Sequence, residues 1–201
     1  MDEIKNLLKR DWRFFAGIAV VFIFSILLGS YLQQTYPQLI AKYGKSFFGK
    51  FQQLAQLIKG QPVWVEIAII WLNNIMASLV AIAIGIFLPV FPLLSLIGNG
   101  LMIGVVQQII EAQRGMTMAQ FYLGLLPHGI FELPAFFIAV GLGVRLGNLP
   151  YRVIWQRHMS PQRKPLIRIF FNETRLYMTL ISVMLIVAAV FEVTVSPLLL
   201  R

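Results

Sequence analysis

Five side chains set within long apolar stretches of this sequence could carry chemistry: His128, Glu132 and Glu192, with the amides Asn73 and Asn99. His128 and Glu132 are four residues apart, so on a helix they share a face and can touch. Pro127 precedes the pair, Gly129 splits it and Pro134 follows. Proline suits the first position of a helix and disrupts its interior. The spacing therefore predicts a break at 126–129, with a new helix starting at Pro127. Broken helices with polar groups near the membrane midplane are a transporter device. The pair admits three readings: a hydrogen bond that holds spans together, a site for a proton or ligand, or a metal site with Glu192 as third ligand. Glu66, Gln107, Gln108 and Glu111 fall at the ends of apolar runs and read as interfacial.

Other chemistries are poorly provided for. There is no Cys, hence no disulfide framework, thiolate metal site or cysteine nucleophile. The second histidine, His158, falls in a basic segment, and neither an HExxH motif nor a nucleophile elbow is present. We expect no enzyme, no catalytic residue, no resident metal and no cofactor. A metal-dependent intramembrane enzyme remains as a second alternative, using His128, Glu132 and Glu192.

The elements that must position these groups follow from composition. The 201 residues are 58% hydrophobic and only 12% charged, against about 45–50% and about 25% for a soluble domain. So little charge cannot cover a water-facing surface, which excludes a soluble globular enzyme and a disordered chain. A spanning helix needs roughly 20 apolar residues. Residues 14–41 carry no charge, and the 44 residues from Ile67 to Ile110 carry none either, broken by Pro89 and Pro92. The expected fold is an all-α bundle of five transmembrane spans in one domain, at about 14–34, 67–89, 93–110, 121–144 and 176–198.

Charge sets the orientation. Lys5, Lys9, Arg10 and Arg13 precede the first span. Arg145, Arg152, Arg157, Arg163, Lys164, Arg168 and Arg175 lie between the fourth and fifth, giving 11 of the 17 basic residues in two segments. The positive-inside rule puts both in the cytoplasm. The expectation is a cell (inner) membrane protein with its N-terminus cytoplasmic and its C-terminus outside. Tyr151, Trp155, Phe170 and Phe171 interleave with the second basic segment, which reads as lipid-headgroup anchoring rather than nucleic-acid binding. Ser160-Pro161 and Lys164-Pro165 mark a turn between two surface helices. In the first outer loop, Phe47, Phe51, Leu54 and Ile58 recur at helical spacing, which predicts an amphipathic helix over 44–60, lying on the outer membrane face or capping the bundle.

Small residues mark where helices touch. Ala77, Ala81 and Gly85 are spaced by four in the second span, Gly100 and Gly104 in the third, and Ala135, Ala139, Gly143 and Gly147 in the fourth. Such ladders let backbones approach where no hydrophobic effect drives association. They serve packing within the chain or, on the sharper reading, a homodimer.

The run Leu125-Leu126-Pro127-His128-Gly129-Ile130-Phe131-Glu132-Leu133-Pro134-Ala135 resembles the signature of the stage II sporulation protein M family. Asn73-Asn74 with Gly85, Asn99-Gly100 with Gly104, and Ala188-Ala189-Val190-Phe191-Glu192 with Pro197 match further family segments in order. The likeness extends from about Leu7 to Pro197. In endospore formers a member of that family assists engulfment, working with two partners that degrade septal peptidoglycan. The resemblance implies a membrane scaffold or assembly partner for cell-envelope and peptidoglycan-processing enzymes. The alternative is a transporter or channel for an ion, lipid or small solute, in which His128, Glu132, Glu192, Asn73 and Asn99 converge on one cavity.

Overall fold

The computed structural model describes residues 2–43, 49, 53, 56–58, 60–159 and 165–195. The amphipathic helix expected over 44–60 lies mostly outside them, Phe47, Phe51 and Leu54 included, as do Ser160, Pro161 and Lys164 at the expected turn and Pro197 near the C-terminus. The described chain is helical: α1 (Asp2–Thr35), α2 (Pro37–Tyr43), α3 (Val63–Ala83), α4 (Val90–Arg114), α5 (Met118–Met159) and α6 (Leu166–Thr194). A 3-10 turn, Ile84–Ile86, extends α3. All but α2 are long and apolar enough to cross a membrane.

Their ends follow local chemistry. Asp2 and Glu3 sit in the first turn of α1, where carboxylates suit the positive end of the helix dipole. No proline interrupts the chain until Pro37, so the basic N-terminal segment and the first span form one helix of 34 residues. Pro62 and Pro89 precede the first turns of α3 and α4, and Pro92 falls where a backbone N–H has no helical partner to lose. Gly115, at φ 63°, closes α4 in the left-handed conformation that favours glycine.

Two expectations are corrected. The helix does not break at 126–129: α5 runs unbroken through Pro127, Pro134 and Pro150. Neighbouring helices and local adjustment of the backbone let spanning helices tolerate proline. The basic segment also does not form separate surface helices. Residues up to Met159 continue α5 and those from Leu166 begin α6, so both spans project past the apolar layer.

α5 is the axis of the bundle and packs against α1, α3, α4 and α6. Its Ala135, Ile138, Ala139 and Leu142 meet Tyr177, Ile181 and Leu185 of α6, while Val140 meets Ile18 and Phe22 of α1, Ala81 of α3 and Leu96 of α4. Phe22 lies 5.3 Å from Phe137 and Phe131 lies 5.6 Å from Phe191, ring centre to ring centre. Farther along α5, Arg145 meets Asp11 near the start of α1 and Glu173 near the start of α6, so α5 runs antiparallel to both.

The small-residue ladders bring backbones together. A methyl group at Gly143 would overlap the Ala81 carbonyl and the Pro92 ring, and one at Gly147 would overlap the Gly85 carbonyl. Across the other crossing, a methyl at Gly104 would overlap the Ile26 carbonyl and the Ser30 amide, and one at Gly100 would strike Ser25 and Phe22. Ala135 and Ala139 are fully buried. Ala77 is not part of this packing. It is exposed, and Ser78 takes the buried position beside Ala81 and Gly85. The packed face of α3 therefore runs Ile70, Ser78, Ala81, Gly85, turned away from the strict four-residue spacing.

Candidate functional site

The sequence-nominated residues fall into two groups. Glu132 on α5 and Glu192 on α6 come together: they follow the tilted ring pair Phe131–Phe191, and their carboxyl groups lie within electrostatic reach of one another. Both are partly buried. The α5–α6 seam thus carries two carboxyls in electrostatic reach, an arrangement able to share a proton or hold a cation. The backbone of His128 is on α5 one turn before Glu132, with its side chain outside the described residues. Among the described residues no three His, Asp or Glu side chains gather as a metal-ligand set.

Asn73 and Asn99 do not join the carboxyl pair. Asn73 is exposed and makes a 3.3 Å hydrogen bond from its amide to Asn74 Oδ1. Asn99, also exposed, donates to the Ser95 carbonyl one turn back at 2.9 Å. Neither amide reaches across to another helix in these bonds.

The most connected polar site was not nominated from sequence. At the basic end of the bundle, Asp11 of α1 is buried with 6% exposure. Its carboxylate accepts from Arg10 at 2.9 Å, from Arg145 of α5 at 2.6 Å and from the Tyr177 hydroxyl of α6 at 2.7 Å. Glu173 of α6 accepts two further bonds from Arg10, both at 2.7 Å, and faces Arg145 at 3.6 Å. Two guanidiniums balance two carboxylates, and the Phe14 ring lies 5.5 Å from the Arg145 guanidinium carbon. A buried carboxylate is costly unless paired and hydrogen-bonded. Here it is both, and the pairing ties α1, α5 and α6 at one level. An open groove beside it is lined by Glu3, Asn6, Arg10, Asn172, Glu173 and Arg175.

A signal for this cluster exists in the sequence. Asp11 begins the stripe Asp11, Phe15, Ile18, Phe22, Ser25, Gly29 that α1 turns inward. An acid on that stripe must have a cationic partner. Reading the neighbouring arginines only as topology signals hides it. A second polar knot joins α1 and α4 at the opposite end, where Ser30 donates to Gln107 at 2.9 Å and Gln107 donates to Glu111 at 2.8 Å. Gln107 is buried between the helices at this end.

Fold and site together define a multi-pass membrane protein of five crossing helices with a close-packed interior. The family model for stage II sporulation protein M matches residues 18–197, and the chain belongs to that family. The match takes in Asn73, Asn99, Glu132 and Glu192 and begins beyond Arg10 and Asp11. No curated protein and no solved structure matches the chain.

Proposed function

We propose that this chain is a membrane scaffold, not an enzyme, that gathers cell-envelope enzymes, peptidoglycan-processing proteins among them, at the cell (inner) membrane. Its N-terminus and basic end lie in the cytoplasm and its C-terminus outside. The observation that carries this reading is the way the bundle is locked. Backbones touch at Gly143, Gly147 and Gly104, and the Asp11 cluster fastens three helices at one end. Close backbone contacts are bistable at best and resist continuous sliding. A locked body is suited to presenting surfaces to partners. Family membership agrees with it, since the sporulation member assembles with wall-degrading partners.

The test is in-cell crosslinking of the tagged protein in its native host, followed by mass spectrometry. Stoichiometric recovery of wall hydrolases or other envelope enzymes is expected. Recovery of the protein with itself alone overturns the scaffold. The second reading, a transporter or channel, is favoured by the Glu132–Glu192 pair. It would then be tested by flux into liposomes with Glu132→Gln and His128→Ala proteins.

A further inference from the structure

The outward face of α3 carries an amide where the bilayer has nothing to offer it. Trp64 and Phe87 are 72% and 77% exposed and stand at the two ends of the Val63–Ile86 span. At ~1.5 Å per residue they stand about 35 Å apart, slightly more than the ~30 Å hydrocarbon layer. Asn73 lies within about 4 Å of the midpoint between them. On the same face Leu72, Met76 and Val80 are exposed, as is Ala77 one turn on. Ser78 turns into the bundle, while the buried Ile70 and Ala81 lie one turn from Asn73 and Ala77 and border this exposed strip. Among the described residues, the Asn73 amide makes only a long 3.3 Å contact to its own neighbour Asn74. Asn99 differs, because its amide closes a 2.9 Å bond on its own helix.

We propose that the Asn73–Ala77 face of α3 is the contact between two copies of this chain. Lipid tails carry neither donor nor acceptor, so the amide needs a polar partner at the same depth. A second copy supplies it by symmetry. Copies inserted in the same sense pair about a two-fold axis along the membrane normal, and α3 then meets α3 in parallel with each residue opposite its equivalent. Asparagine both donates and accepts through its amide, so Asn73 satisfies Asn73. Ala77, one turn away, has no bulk to hold the backbones apart. The ladder on α5 cannot play this part, because Gly143 and Gly147 are already covered by α3 within one copy. This inference does not rest on the scaffold reading and can fail or hold separately from it.

The chain has no cysteine, so single-cysteine proteins give a clean test. Asn73→Cys, Ala77→Cys, Ile23→Cys on α1 and Val183→Cys on α6 are oxidised in native membranes at low expression; the last two sites are 57% and 55% exposed. Disulfide-linked dimer is expected from the first two proteins and not from the last two. In detergent, Asn73→Leu should weaken dimerisation about ten-fold, as loss of one interhelical polar contact does. Asn73→Gln should retain the dimer. The monomer melt should be unchanged in both, since Asn73 faces out of the bundle. Monomer alone, equal crosslinking on all faces, a foreign protein captured at Ala77→Cys, or a dimer indifferent to Asn73→Leu each overturns the proposal.

Discussion

Replacing Arg145 by glutamine should destabilise the bundle far more than the same change at Arg10, although Arg10 makes more of the hydrogen bonds. The difference comes from burial. Arg145 and Asp11 have side-chain exposures of 18% and 7%, whereas that of Arg10 is 50%. Breaking a buried ion pair by removing one partner costs about 3–5 kcal/mol, since the remaining charge stays desolvated. Arg10 and Tyr177 still reach Asp11 in the Arg145→Gln protein, which places the loss near the lower bound, about 3 kcal/mol. Arg10 sits largely in solvent, so screening limits the cost of Arg10→Gln to about 1 kcal/mol. For a chain of this length 1 kcal/mol shifts Tm by roughly 2–4 °C. The expected falls are then about 6–12 °C for Arg145→Gln and about 2–4 °C for Arg10→Gln. Thermal melts in one detergent, followed by circular dichroism at low and high salt, measure both. The larger effect should survive high salt, because buried pairs are poorly screened. Equal losses from the two substitutions, or an Arg145→Gln protein that melts with the wild type, would refute the view that burial of Asp11 governs this end of the bundle.

Four other outcomes follow from the same geometry. Tyr177→Phe removes one donor from the buried carboxylate and should cost about 1.5–3 kcal/mol, measured by the same melt. Gly104→Ala drives a methyl into the Ile26 carbonyl and should cost about 1–3 kcal/mol, whereas Gly98→Ala, with open space around it, should melt at or slightly above wild type. Ala81→Leu should lower the melt by a similar overpacking cost of about 1–3 kcal/mol, while Ala77→Leu leaves the monomer melt unchanged; a reversed order would mean that α3 is rotated. Glu132→Gln keeps the shape and puts a neutral amide beside Glu192, so it should fold and melt within about 1 kcal/mol of wild type. A larger loss would identify the pair as structural glue, and any loss of partner recovery or flux is then read against that melt.

How far the sequence could be read depended on which solvent did the selecting. The bilayer demands a long apolar length, so three crossings were legible from charge-free runs and two more from apolar runs holding Glu132 and Glu192, and Pro89 marked the boundary between α3 and α4. Within the bundle the selecting medium is other protein, and the same signals lose force. Pro127 and Pro134 look like helix ends only if no neighbour supports the helix around them; α5 is supported on several sides and continues. The spacing Ala77–Ala81–Gly85 looks like one face, but 3.6 residues per turn makes a strict four-residue ladder drift, and the buried stripe passes through Ser78 instead. Small residues say that backbones meet without saying on which side. Ala77 and Asn73 therefore keep the outward position, where their pattern suits a second helix.

The charges follow the same logic from the other direction. Eleven basic residues in two segments report orientation only in aggregate, and any one of them can be withdrawn for structure at little cost to topology. Arg10 and Arg145 were withdrawn because Asp11 occupies the inward stripe of α1 at the level where α5 and α6 also leave the apolar layer. There the carboxylate is shielded from water yet close enough to the interface for long guanidinium side chains to reach it while keeping part of their surface wet. Placed at the depth of Asn73, the same carboxylate could not have recruited an exposed arginine. The bundle thus puts its ionic lock at the end and leaves a neutral amide at the middle of an outer face. That ordering suits a body made rigid within itself, and it agrees with the proposed pairing of two copies in the membrane plane.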